Sequence, residues 1–255
     1  MEELKNKPIN NLEYKDIKNI KLIIFDVDGV LVPRGTMLKQ IGKNTRFKIK
    51  SIGKKEINQI KILHNSGLHI NINSGRGLYL LEEMFREILP YVSITYENGS
   101  ATWYKGKIYQ HINSFTQLKK IMTKLSLVKS PNIKGFEPKE FIITIHAKKW
   151  VKKIEEIIDK EKDLFYVWNN EAYDIGIKNL QTKSNGVKKL AKLLKLKKEN
   201  ILVIGDNYND QEMINEGGLK ITADKSRVNG DFSIKLNNKY LPASQLMDQL
   251  IKVRK

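Results

Sequence analysis

At 255 residues, 40% hydrophobic and 29% charged, the chain is long enough for one large domain or two modest ones around apolar cores. It has no cysteine, which excludes a disulfide framework, a thiolate nucleophile and a cysteine-ligated metal. The formal charge of +18 would suit nucleic acid, an anionic membrane or anionic substrates, but the lysines are spread along the chain and do not interleave with aromatics, so nucleic acid is not expected as a partner.

Residues 1–18 read as a polar N-terminal extension of mixed charge, with Glu2, Glu3, Glu13 and Asp16 and without the apolar stretch of a secretory signal. No run approaches the roughly 20 apolar residues of a membrane span, and a soluble, cytoplasmic protein with no membrane partner is expected. From Lys21 to Val27 a short apolar run, Leu22, Ile23, Ile24 and Phe25, ends abruptly in acidic residues and a glycine, the way a buried parallel strand enters a loop. Helical spacing of Ile57, Ile60 and Leu63 predicts a helix over 55–65, stopped by Gly67, and 68–73 reads as a second strand. Leu78, Leu81, Phe85 and Ile88 place a helix over 78–89, closed by Pro90.

The middle of the chain has a different rhythm, with strands at 141–145, 165–168 and 172–177 and a helix over 148–160. Strand and helix then alternate again: a helix through Val187, Leu190 and Leu194, a strand at 201–204, a short helix at 211–216 and a strand at 219–222. The fold class expected is therefore α/β, a doubly wound, Rossmann-like parallel-sheet core with an inserted α+β module. The core is assigned to 19–111 and 179–255, and the module to 112–178.

Chemistry concentrates at the ends of the expected strands. Asp26-Val27-Asp28-Gly29 places two carboxylates where open α/β sheets bind ligands. One can attack phosphorus as a nucleophile while the other handles a proton. Alone, an acidic pair and a glycine equally describe a capped turn. Gly205-Asp206-Asn207-Tyr208-Asn209-Asp210 puts a second acidic cluster after the strand at 201–204, suited to a hard cation such as Mg²⁺ or, on the plainer reading, to capping the helix at 211–216. Ser74-Gly75-Arg76 offers a hydroxyl and backbone N–H groups to a phosphate oxygen. Lys183, just ahead of a helix, could supply a fixed ammonium. His64, His69 and His111 are scattered without metal-ligand spacing, and His146, at the end of an expected strand in the inserted module, is the histidine that could face a substrate. Tyr166, Trp168 and Tyr173 are read as core packing, and Asn169, Asn170 and Glu171 as a hairpin turn or a recognition loop.

In order and placement these pieces resemble the haloacid dehalogenase-like phosphatases, which carry DxDG on the first strand, Ser or Thr on the second, a lysine before a later helix and an acidic GDxxxD or GDxxND loop. Asp26 and Asp28, Ser74, Lys183, and Asp206 and Asp210 match them across residues 21 to 222. The long interval between Ser74 and Lys183, and Glu97-Asn98-Gly99-Ser100, resemble the Cof-like, sugar-phosphatase subgroup, whose cap is inserted between the second and third motifs. Val30 departs from the threonine common there, and the stretch from Val30 to Gly67 is also similar to the capless sugar-acid phosphatases. The resemblance implies a Mg²⁺-dependent phosphatase of a small phosphorylated metabolite, a sugar phosphate or phosphoglycolate. Asp26 would be the nucleophile and Asp28 the acid–base group; Asp26, Asp28, Asp206 and Asp210 would hold the metal. Ser74, Gly75 and Lys183 would bind phosphate with Asn209 and Arg76 in support, and His146 and Glu171 would meet substrate from the cap. A phosphomutase of the phosphomannomutase type uses the same aspartates and is the nearest alternative; a non-catalytic nucleic-acid-binding protein is the alternative from another class.

Overall fold

A computed structural model describes residues 6–41, 44–168, 170–236 and 239–254. The chain begins with β1 (Lys7–Pro8), α1 (Tyr14–Ile17), β2 (Leu22–Phe25), a hairpin of β3 (Met37–Ile41) and β4 (Asn44–Lys48), α2 (Lys54–Asn65) and β5 (His69–Asn73). It continues through α3 (Leu78–Met84), β6 (Val92–Tyr96), β7 (Ala101–Tyr104), β8 (Lys107–Gln110), α4 (Phe115–Ser126), β9 (Ile133–Glu137), β10 (Ile143–Ala147), α5 (Lys152–Ile158), β11 (Leu164–Trp168) and β12 (Ala172–Ile177). It closes with α6 (Lys183–Leu193), β13 (Ile201–Gly205), α7 (Gln211–Asn215), β14 (Leu219–Thr222), β15 (Phe232–Ser233) and α8 (Pro242–Arg254).

Among the described residues, a nine-stranded sheet runs β1-β15-β14-β13-β2-β5-β6-β7-β8. It is parallel as far as β6, and β7 and β8 add an antiparallel edge. The apolar run of β2 explains its central place, because all four of its side chains are fully buried. Ile23 and Phe25 join one core with Ile57, Ile60 and Leu63 of α2 and Leu246 and Leu250 of α8. Leu22 and Ile24 face the other way, toward Val187 and Leu190 of α6 and Met213 and Ile214 of α7. A strand that alternates between two helical layers has to be apolar at every position, and this one is. The N-terminal segment packs onto the same body: β1 pairs with β15, and Ile9, Leu12 and Ile17 are buried in the core.

A second, antiparallel sheet runs β11-β12-β10-β9. Its Ile143, Ile145, Tyr173 and Ile175 pack against Leu118, Ile121 and Leu125 of α4 and Ile154 and Ile158 of α5, with Tyr166 and Trp168 at the margin of this cluster.

Two expected helices are shorter in the structure. The α-helix starting at Leu78 ends at Met84, and residues Arg86–Tyr91 form a 3₁₀ segment containing Pro90, whose ring would clash with the carbonyl four residues back and which has no N–H to give it. The helix expected over 148–160 spans Lys152–Ile158, since Val151 is extended and gives its N–H to the Tyr173 hydroxyl at 2.5 Å. The strand expected over 141–145 lies two residues later, at Ile143–Ala147.

Candidate active site

The parallel pairing of β2 with β13 sets Phe25 beside Ile204, so the two strands deliver Asp26 and Asp206 side by side at one sheet edge. The Asp26 N–H donates to the Ile204 carbonyl at 3.1 Å, which fixes its backbone. Beyond Asp26 the chain turns tightly, with the N–H groups of Val30, Leu31 and Val32 all directed at the Val27 carbonyl. Gly29 makes the turn possible: its φ is +90°, and a Cβ there would lie 2.4 Å from Asp206 Oδ2.

Asp210 closes the acidic loop on itself. Its Oδ2 accepts the N–H groups of Asp206 at 3.2 Å and Asn207 at 3.1 Å. Its Oδ1 accepts from Lys183 Nζ at 2.7 Å, and the same ammonium donates to Asp26 Oδ1 at 2.5 Å. Lys183 opens α6, whose N-cap Thr182 accepts the Asn185 N–H. The start of α6 lies against the turn at Glu97-Asn98-Gly99, where all three residues have positive φ. A Cβ on Gly99 would approach the Thr182 carbonyl to 2.4 Å, and Asn73 Nδ2 donates to the Lys183 carbonyl at 3.1 Å. The Gly99 backbone and the Asn73 side chain, both at strand ends, therefore seat the start of α6 so that one lysine meets two carboxylates.

Burial, with Asp210 next, raises the Asp26 carboxyl to about 7 against the pull of Lys183. Burial also raises Asp206, although Arg34 Nη2, 2.5 Å from its Oδ2, works in the opposite direction. Burial alone would lower the Lys183 ammonium, but Asp210 and Asp26 drive it well above the ordinary lysine value.

Three carboxylates facing the Lys183 ammonium and the Arg34 guanidinium still leave negative charge uncompensated. Asp26, Asp206 and Asp210 each offer an oxygen within 4.8 Å of the others, and Asp206 Oδ1 is buried without a hydrogen-bond partner. An all-oxygen set of this size with an orphaned acceptor fits a hard divalent cation. Among the described residues it is the cluster that has this property. Asp28, expected as a fourth carboxylate on the metal, does not join the trio: both of its oxygens accept from Arg76, Nε at 2.8 Å and Nη2 at 2.8 Å. The turn at Gly29 carries the Asp28 side chain toward β5, where a bidentate guanidinium holds it.

The remaining expected residues are placed as follows. Ser74 is buried at the end of β5, next to β2 in the sheet, and its Oγ accepts the Arg76 N–H at 3.2 Å. The Gly75 carbonyl accepts from Lys139 Nζ at 2.8 Å. Asn209 is exposed in the acidic loop. His146 Nε2 donates to Glu137 Oε2 at 2.8 Å. Glu171 is exposed beside the β11–β12 turn, in which Asn170 has a φ of +70°; Asn169 lies outside the described residues. Residues not anticipated from sequence also converge here, Arg34 on Asp206, and Glu137 and Lys139 from β9 and its following loop; Glu97, singled out only within the segment that carries the resemblance, joins them. The Glu97 carboxylate accepts the N–H groups of Glu140, Phe141 and Ile142 at 3.0, 2.6 and 3.0 Å, tying the second sheet to the strand edge of the first.

A family model for haloacid dehalogenase-like hydrolases matches residues 116–229. The chain is 27% identical over 209 residues to "Phosphoglycolate phosphatase 1" of Saccharolobus solfataricus, covering 79% of this chain and 82% of that protein. Among solved structures, a HAD/COF-like hydrolase of Plasmodium vivax superposes with a TM-score of 0.67 at 18% identity, covering 94% of this chain and 99% of that one. A Thermoplasma acidophilum protein superposes with a TM-score of 0.66 at 18% identity, covering 91% and 97%. These two similarities establish a shared fold.

Proposed function

We propose that the chain is a haloacid dehalogenase-like hydrolase, a reading supported by the family model matched over residues 116–229, and that it is a Mg²⁺-dependent, cytoplasmic phosphatase that moves the phosphoryl group of a small phosphorylated metabolite onto Asp26 and then to water. The observation that carries this reading is Lys183 Nζ bridging Asp26 and Asp210, with an unpartnered Asp206 oxygen beside them. The relative named for phosphoglycolate phosphatase activity supports the substrate class, a sugar phosphate or phosphoglycolate.

In the proposed reaction Ser74, the backbone N–H groups after it, and Lys183 orient the substrate phosphate at the ends of β2 and β5. An Asp26 oxygen attacks phosphorus, the P–O ester bond breaks, and Asp28 gives a proton to the departing alkoxide. Asp28 then takes a proton from water, which attacks the acyl phosphate, releases inorganic phosphate and restores Asp26. Asp26, Asp206 and Asp210 would hold Mg²⁺, which when bound offsets the negative charge of carboxylate and phosphate and polarises the phosphoryl group. The Arg76 pair has to loosen for Asp28 to act. The segment 112–178 is proposed as the cap, excluding bulk water when closed over the site. The test is phosphate release from an aryl phosphate before and after chelation: activity that survives exhaustive chelation sinks the metal dependence, and no release with Mg²⁺ sinks the phosphatase.

A stability prediction accompanies the metal assignment. An unfolded aspartate ionises near 3.9, whereas Asp26 in the metal-free fold does so at about 7. Between those values the folded chain holds the extra proton, so this group makes stability fall as pH rises. A divalent cation bound to the ionised trio competes with that proton. Millimolar Mg²⁺ should therefore raise Tm by roughly 5 °C at pH 8 and by much less at pH 5; equal shifts in calorimetry at the two pH values would contradict the assignment.

A further inference from the structure

The second sheet has one apolar face, packed on α4 and α5, and one polar face. Register places Glu137 opposite Thr144, and Thr144 opposite Asp174, in a single row across β9, β10 and β12. Ile145 and Tyr173 of the same strands lie in the apolar cluster, so this row and His146 occupy the opposite face. That face looks at the catalytic edge of the large sheet, because Lys139 Nζ, within 2.7 Å of Thr144 Oγ1, also reaches the Gly75 carbonyl at 2.8 Å.

The charges on this face are unequally satisfied. Lys139 gives its ammonium to Gly75, Thr144 and, at 3.4 Å, Asp174. Asp174 also accepts from the Thr144 hydroxyl, and Arg76 is committed to Asp28. Glu137 is 7% exposed; His146 Nε2–H serves its Oε2, but its Oε1 is buried with no hydrogen-bond partner and is 3.7 Å from Lys139 Nζ. A buried carboxylate oxygen in this position calls for a donor.

We propose that Glu137, oriented by His146, is the specificity-determining residue of the cap: it accepts a hydroxyl of an uncharged leaving group and turns away leaving groups that carry a carboxylate. The proposal rests on the phosphatase reading and narrows it. With Lys139 already donating to Gly75, Thr144 and Asp174, a leaving-group carboxylate entering here meets the carboxylates of Glu137 and Asp174, whereas a polyol hydroxyl supplies the donor that Oε1 lacks. His146 is a positioning residue, its N–H fixing which Glu137 oxygen is left for the substrate.

The test compares kcat/KM of the full chain with Mg²⁺ on a panel of polyol and sugar phosphates, phosphoglycolate and p-nitrophenyl phosphate, for the wild type, Glu137→Gln and Glu137→Asp. The wild type should prefer at least one hydroxylated substrate to phosphoglycolate. Glu137→Gln should lower the polyol-to-aryl ratio by about tenfold to a hundredfold, the range for a hydrogen bond to a charged group, and Glu137→Asp should recover part of it. A merely structural residue would lower both rates together and leave the ratio alone. An unchanged ratio overturns the proposal, as does a wild-type preference for phosphoglycolate over every polyol phosphate, a result that needs no variant to fold. A wild type that hydrolyses nothing on the panel, aryl phosphate included, overturns the phosphatase reading and the specificity role with it.

Discussion

Asp26→Asn is expected to lower kcat/KM for an aryl phosphate by at least about 10³-fold, the scale on which enzymes respond to loss of a nucleophile. The amide keeps the shape of the carboxylate and an oxygen that can accept from Lys183, but it does not form an acyl phosphate. Stability should move in the opposite direction from activity. Burial already makes ionisation of Asp26 costly in the metal-free fold, with its carboxyl held at about 7, so a neutral replacement removes a strain between three carboxylates. The expected result is a variant that without Mg²⁺ unfolds at or above the wild-type temperature at pH 8 and yet has lost turnover. Retained turnover would show that another group attacks phosphorus.

Lys183→Met should lower kcat/KM by about 10²–10³-fold, the cost of removing a charge-stabilising donor from a closed site. Its effect on the fold is the reverse of that at Asp26. The ammonium is the group that both Asp26 and Asp210 contact, and taking one partner from a buried ion pair costs about 3–5 kcal/mol. Unfolding by urea should show a lowered midpoint without Mg²⁺ and a partial recovery with it, since the cation substitutes for some of the missing positive charge. A midpoint unchanged in the absence of cation would mean that the trio tolerates its charge by another route.

The elements that carry this site were legible because their sequences leave little choice. Leu22 to Phe25 is apolar at every position and ends in Asp26, as a strand buried on both faces requires; β14, in the same parallel sheet, has the expected bounds 219–222. Parallel pairing of such strands brings their C-terminal ends to one edge, and the acidic loops go with them. The hairpin Met37–Lys48 was not legible. Its strands, MLKQI and NTRFK, carry no regular alternation of apolar and polar residues. Strand β9, IKGFE, hid its apolar face behind a glycine for the same reason.

Side chains that meet through tertiary contacts left almost no trace. Arg34 meets Asp206 across 172 positions of sequence, and Glu97 takes N–H groups from residues 43 to 45 positions away. In a chain of 46 basic residues nothing local separates Arg34 or Lys139 from solvated lysines and arginines. Asp28 illustrates the limit of motif reasoning. The family resemblance implied a role for it in holding a metal, but its oxygens are held by Arg76, itself expected only in a supporting role.

The most direct test is to capture the transferred phosphoryl group. The chain should be mixed with a ³²P-labelled phosphomonoester and Mg²⁺, quenched in acid within a turnover, and digested for peptide mapping. The account predicts an acid-stable, hydroxylamine-labile label on the peptide containing Asp26, absent from Asp26→Asn; label on another residue, or rapid hydrolysis with no label captured at any quench time, would contradict it.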